Sequence, residues 1–101
     1  MAPLFIEFEW NSKKDRANLK KHGVSFEEAK TIFNDPHVIT FHDPDHSEME
    51  NRFLSAGVSE KGRFLTISHT DRDEKVRIIN ARRTTKKEKS AYEKEVSKKI
   101  H

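Results

Sequence analysis

The sequence predicts an α+β fold: a mostly antiparallel sheet with two N-terminal helices and a C-terminal helix. Three observations carry this expectation. A helix stop and a helix start fall close together at Gly23 and Ser25. Between residues 37 and 82 the apolar spacing changes to two, with polar turns separating the runs. The final segment opens on Thr85 and Glu88, a capping-box pair, and then repeats Tyr92, Val96 and Ile100 at steps of four. A length of 101 residues suits one domain, so a single domain over 1–101 is expected.

Leu4 to Phe8 reads as a short strand. Asn11 or Ser12 caps the first helix, because a short polar side chain accepts from an N–H of the opening turn that has no helical partner. Gly23 ends that helix, since glycine tolerates the left-handed conformation that satisfies the last carbonyls. Ser25 opens the second, with Glu28 completing a capping box and Val24 placed to staple onto Ala29. Phe26, Ala29, Ile32 and Phe33 recur at helical spacing and make the clearest core face. Asn34-Asp35-Pro36 stops the helix, because the residue before proline is steered out of helical geometry. His37 to His42 reads as a strand, and Asp43-Pro44-Asp45 as the turn after it. Arg52–Val58 and Phe64–Thr70 flank Ser59-Glu60-Lys61-Gly62, a hairpin turn in which Gly62 takes positive φ. Asp71 to Glu74 then turns the chain into a further strand, Val76 to Arg82. Connections this short favour antiparallel neighbours.

Composition narrows the chemistry. The charged share of 37% exceeds the hydrophobic share of 33%, yet patterned apolar runs persist, so a folded chain with polar ends follows. No apolar run is long enough to cross a bilayer, and Met1 to Phe5 lacks the regions of a signal peptide; an intracellular, cytoplasmic protein is expected. The lack of cysteine removes disulfides, thiolate catalysis and Cys-type zinc sites. With three glycines and no glycine-rich loop, phosphate-cradling nucleotide sites are excluded. Residues 72–101 carry eleven Lys or Arg against five acids, net +6, whereas residues 1–71 carry nine against twelve, net −3. Two basic segments, 13–21 and 72–101, are separated by an acidic belt. They point to nucleic acid if folding brings them onto one surface.

At helical spacing Lys14, Asn18, Lys21 and His22 share a face that offers cations, an amide and an imidazole. Such a face either binds a polyanion or is a solvated surface whose lysine stems cover apolar neighbours. Arg77 and Arg82 mark the two ends of one strand, and Arg52 opens another. Each finds either an ion-pair partner, with Glu50, Glu88 or Glu93 available, or a phosphate, for which the planar guanidinium is well shaped. His69 is a strand-end histidine or a proton donor. His37, His42, Asp43, Asp45 and His46 cluster in sequence and could ligate a metal, but their spacing matches no zinc motif, so no metal or other cofactor is expected.

Several separated motifs occur in order: Phe8-Glu9-Trp10-Asn11; Lys14 and Asn18; Lys21-His22-Gly23-Val24-Ser25-Phe26-Glu27-Glu28-Ala29; Glu50 with Arg52-Phe53 and Gly57; Arg77-Ile78-Ile79-Asn80-Ala81-Arg82; and Glu88 with Tyr92. Together they resemble the BrnT family of bacterial type II toxins. The resemblance covers about residues 7 to 93. It departs from the family pattern at Asn11, often Asp, and at Lys89, often Arg. It implies a RelE-like fold and a ribonuclease that stops translation. It also implies a BrnA-like antitoxin that holds the toxin in a hetero-oligomer of two toxins and two antitoxins, with operator DNA reached only through the antitoxin and no membrane involved. The implied reaction is metal-independent attack of a ribose 2′-hydroxyl on the adjacent phosphate. On that basis His22 is the candidate proton-transfer group, Lys21 the reserve base or a phosphate contact, Arg52 and Arg82 the phosphate clamp, and His69 the acid. Lys13, Lys14, Asn18, Arg77 and Arg83 would contact the RNA. Tyr92 is expected to pack. The alternative is a non-catalytic module that binds nucleic acid or antitoxin.

Overall fold

The computed structural model describes residues 6–43 and 51–100. The elements run β1 (Glu7–Glu9), α1 (Ser12–His22), α2 (Phe26–Ala29), a 3₁₀ turn (Lys30–Asn34), β2 (Ile39–His42), β3 (Arg52–Val58), β4 (Phe64–Arg72), β5 (Lys75–Arg83) and α3 (Lys86–Ile100). The five strands form one sheet in the order β1-β5-β4-β3-β2. Its pairings are antiparallel except β1 with β5, which run parallel because the chain crosses over the other elements between them.

The expected caps are in place. Asn11 accepts from the N–H groups of Lys13 and Lys14 at 2.9 and 3.1 Å, and Gly23, at φ 71°, sends its N–H back to the Leu19 carbonyl. Ser25 accepts from Glu28 N–H at 3.1 Å, and Thr85 and Glu88 exchange both bonds of a capping box. Gly62 takes φ 77° in the β3–β4 turn. The second helix is shorter than expected: one α turn tightens into 3₁₀ geometry after Ala29. Thr31 there donates its hydroxyl to the Glu28 carbonyl at 2.6 Å, a local bond that competes with the helical ladder.

The sheet has helices on both faces. One face packs Leu65, Ile67, Ile78 and Ala81 against Val24, Phe26, Ala29 and Ile32 of the α2 region. The other packs Ile39 and Ala56 beneath Tyr92 of α3, with Phe64, Ala91 and Val96 around them. Asp35 fastens this second layer: it accepts from Tyr92 Oη at 2.6 Å and from the N–H groups of Val58 and His37, each at 2.9 Å. Its own burial, with the bond to and the charge of Asp35, pushes the Tyr92 phenol up to about 12. Gly57 leaves room for that carboxylate, since a Cβ there would stand 3.2 Å from Asp35 Oδ2.

One irregularity decides which side chains share a face. Ser68 pairs with Asn80, yet His69 pairs with Ile78, so β5 carries one extra residue, Ile79. In an unbroken strand Arg77 and Arg82, five residues apart, would point to opposite faces. The bulge restores them to one face, opposite Thr70 and Thr66 respectively.

Candidate active site and nucleic-acid face

Asn18 is the joint between the two basic segments. Its amide donates to the carbonyls of Val24 (2.9 Å) and Ala81 (2.8 Å) and accepts from Ala81 N–H (3.1 Å). It thereby satisfies the edge of β5 beyond the reach of three-residue β1, which pairs only with Lys75 to Arg77. Asn18 is 7% exposed and fully engaged. The expectation that it contacts RNA is therefore corrected: it holds α1 against β5. The last turn of α1, with Lys20, Lys21 and His22, follows this joint and lies alongside the end of β5, with Arg82 and Arg83.

Helical geometry then sorts α1. Asp15 accepts from Phe26 N–H at 2.9 Å, so the flank of α1 carrying Asp15 and His22 faces the α2 layer. Lys14 and Lys21 occupy the opposite flank, the side on which Arg77 and Arg82 leave β5. Arg83 shares the α2 side with Leu65, its register partner. The predicted single face of Lys14, Asn18, Lys21 and His22 is thus divided. Lys21 with Arg82, and His22 with Arg83, stand on the two sides of one corner of the sheet. Lys13, Lys14, Lys21 and Arg83 are exposed and His22 is half-buried.

The open part of the α3-side face carries the arginines. Arg52, Thr70 and Arg77 form one row across β3, β4 and β5, with Ser68 and Asn80 in the next full row. Arg82 stands four residues along β4 from that row, about 13 Å at strand spacing. The guanidinium groups are therefore strung along the face. Arg77 Nη1 is 3.6 Å from Glu9 Oε2, and Thr70 Oγ1 donates to the Asn51 carbonyl at 2.8 Å.

Two expected catalytic groups are otherwise occupied. Arg82 donates to both carboxylate oxygens of Glu88, at 2.9 and 2.8 Å, which is the ion-pair outcome that its sequence position left open. Burial alone would raise the Glu88 carboxyl, but the Arg82 bonds, with those from Thr85 N–H and Thr66, hold it at about 2. His69, the candidate acid, is a core residue. It is 5% exposed, packs edge-on to Phe33 and stacks on Phe53, and its Nε2 is 2.7 Å from Ser55 Oγ, itself 2.7 Å from Thr40 Oγ1. Burial lowers its pKa, with Asp71 opposing. The sequence missed Glu9 as the partner of Arg77, because the pairing comes from the parallel β1–β5 register. It also missed the buried Glu28–Arg63 pair, in which Arg63 lowers the Glu28 carboxyl and also reaches the Gly23 carbonyl at 2.8 Å. Among the described residues no three His, Asp or Glu come together as a metal site; Asp45, His46 and Glu50 lie outside them. No helix among the described residues is long and apolar enough to cross a membrane.

The family model described as ribonuclease toxin, BrnT, of type II toxin-antitoxin system matches residues 10–88. The chain belongs to the BrnT family. The match spans α1 through the Arg82–Glu88 pair, so the joint at Asn18 and the arginine face both fall within it. The 1.1 Å crystal structure of the Brucella abortus ribonuclease toxin BrnT is similar in fold, with a TM-score of 0.59 at 14% identity, covering 81% of this chain and all of that one. No curated protein matches. As a BrnT-family toxin of a type II system, the chain has a protein antitoxin as partner and RNA as its target.

Proposed function

We propose that this chain is a metal-independent endoribonuclease of the cytoplasm that stops translation by cutting RNA, and that a BrnA-like antitoxin neutralises it in a hetero-oligomer through which alone it reaches operator DNA. The observation that carries the reading is the Asn18–Ala81 joint, which merges the basic segments of α1 and β5 at one corner. There an imidazole and cations flank a single edge, the set that phosphodiester cleavage by an internal 2′-hydroxyl requires. The 2′-oxygen forms a bond to phosphorus as the bond to the 5′-oxygen breaks, leaving a 2′,3′-cyclic phosphate. His22 takes the 2′ proton, and the Lys21 ammonium gives one to the departing 5′-oxygen. Arg83 and the outer N–H groups of Arg82 meet the charge on the phosphate. Lys13, Lys14, Arg52 and Arg77 hold the flanking RNA backbone, Arg52 and Arg77 along the sheet face.

The occupied Arg82 and buried His69 favour a second reading, a module that binds RNA without cutting it. One experiment separates the two: incubation with RNA in excess EDTA, beside His22→Ala and Lys21→Ala, with chemical identification of the ends. The ribonuclease reading expects cyclic phosphate ends from wild type and a loss of at least about a hundredfold in either variant. Salt-sensitive binding with no new ends supports the module.

A further inference from the structure

The two edges of the sheet are finished differently. At one, β1 is three residues long with Glu7 and Glu9, and Asn18 caps the β5 backbone beyond it. Short length, charge and covering are the usual protections against strand addition. At the other, β2 reads Ile39-Thr40-Phe41-His42, with no lysine, proline or bulge, and no described strand pairs with its outer side. Asp43 N–H bonds the Arg52 carbonyl at 2.8 Å, which fixes the alternation of the ladder. The backbones of Ile39, Phe41 and Asp43 face β3, and those of Thr40 and His42 face outward. Beside this edge runs a groove of about 310 Å³ between β2 and α3, with Ile39, Phe41 and Ala91 as its apolar part and Glu95 and Lys99 at its rim. Phe41 is 38% exposed there. The α3 helix above carries six lysines against three glutamates.

We infer that β2 is the antitoxin-docking edge: an extended antitoxin segment adds to the sheet as a sixth strand on the backbone of Thr40 and His42. Its alternate apolar side chains enter the groove over Phe41, and its acidic residues face the lysines of α3. This rests on the toxin–antitoxin reading above. Main-chain pairing supplies affinity and the groove supplies selectivity, the division of labour in strand addition. The charge of α3 selects an acidic strand over a second copy of this chain, whose own α3 would bring like charge to the same edge.

The test is hydrogen exchange on the full chain with and without its cognate antitoxin, beside Thr40→Pro and Phe41→Glu. Proline at 40 removes an outward donor without touching the β2–β3 ladder. Glutamate at 41 alters the groove and leaves every backbone group intact, so failure of one variant to fold leaves the other informative. The expected result is slowed exchange at Thr40 and His42 in the complex, and a loss of antitoxin affinity of about tenfold or more in each folded variant. Wild-type affinity in both folded variants, protection confined to the arginine face, or protection that rises with concentration of the chain alone would each overturn the proposal. RNA cleavage is read in the wild-type sample without antitoxin. Absent cleavage there, with Thr40 and His42 protected once antitoxin is added, counts against the ribonuclease reading and leaves the docking edge supported.

Discussion

At the level of single residues, the Arg82–Glu88 pair sets the terms for the corner of the sheet. The Arg82 guanidinium, the proposed phosphate contact, is held by a carboxylate whose own acidity the pair has shifted to about 2. The linkage has a definite sign. Glu88 titrates near 4.5 in an unfolded chain and lower in the folded one, so its contribution is fully present above pH 4.5 and disappears as pH falls toward 2. Denaturant titrations of wild type and Glu88→Gln should therefore differ at pH 7 by on the order of 2 kcal/mol, discounted for partial exposure, and the gap should narrow steadily as pH falls from 4.5 to 2. A gap that stayed at its pH 7 size down to pH 2 would mean that the pair is not its source. His69 works in the same direction at higher pH. Burial disfavours its charged form, so stability declines as pH drops below its ordinary value near 6.5.

Among the elements, the joint between α1 and β5 matters most, because it determines which charges meet. Asn18→Leu keeps the helix and the size of the side chain but leaves Ala81 N–H and C=O and the Val24 carbonyl without partners. The expected cost is about 2–4 kcal/mol by denaturant melting, with faster exchange at Ala81, and RNA binding should weaken as the two basic segments part. The contrast with what could be read in advance is instructive. Helix ends at Asn11, Gly23, Ser25 and Thr85 were legible because a cap is a local agreement among three or four residues. So were the hairpin at Gly62 and the packing role of Tyr92. The faces were not. That Arg77 joins Arg82 depends on the extra Ile79, and that Asn18 turns inward depends on a strand edge 63 residues away. His69 sits on a regular alternation with Leu65 and Ile67, so its burial was available from period two once that face was known to be the core.

For the molecule as a whole, the charge asymmetry becomes an arrangement. The basic face is assembled from α1, the β5 end and the arginine row, while the α2 layer carries the ion-paired Glu28 and is met by Asp15 of α1. Binding to single-stranded RNA should weaken linearly on logarithmic axes as salt rises. Lys21→Ala and Arg77→Ala should each reduce the slope by about 0.7, the share of one phosphate contact, while Lys30→Ala, paired with Glu27 on the other layer, leaves it unchanged. A slope indifferent to Lys21 and Arg77 would move the RNA off this face. The unequal edges have a further consequence, for stoichiometry. A sheet extendable on both sides polymerises, since each addition exposes a new template. With β1 short and acidic and Asn18 closing the edge beyond it, strand addition of the kind proposed for β2 would stop after one step, giving one foreign strand per chain and a finite assembly.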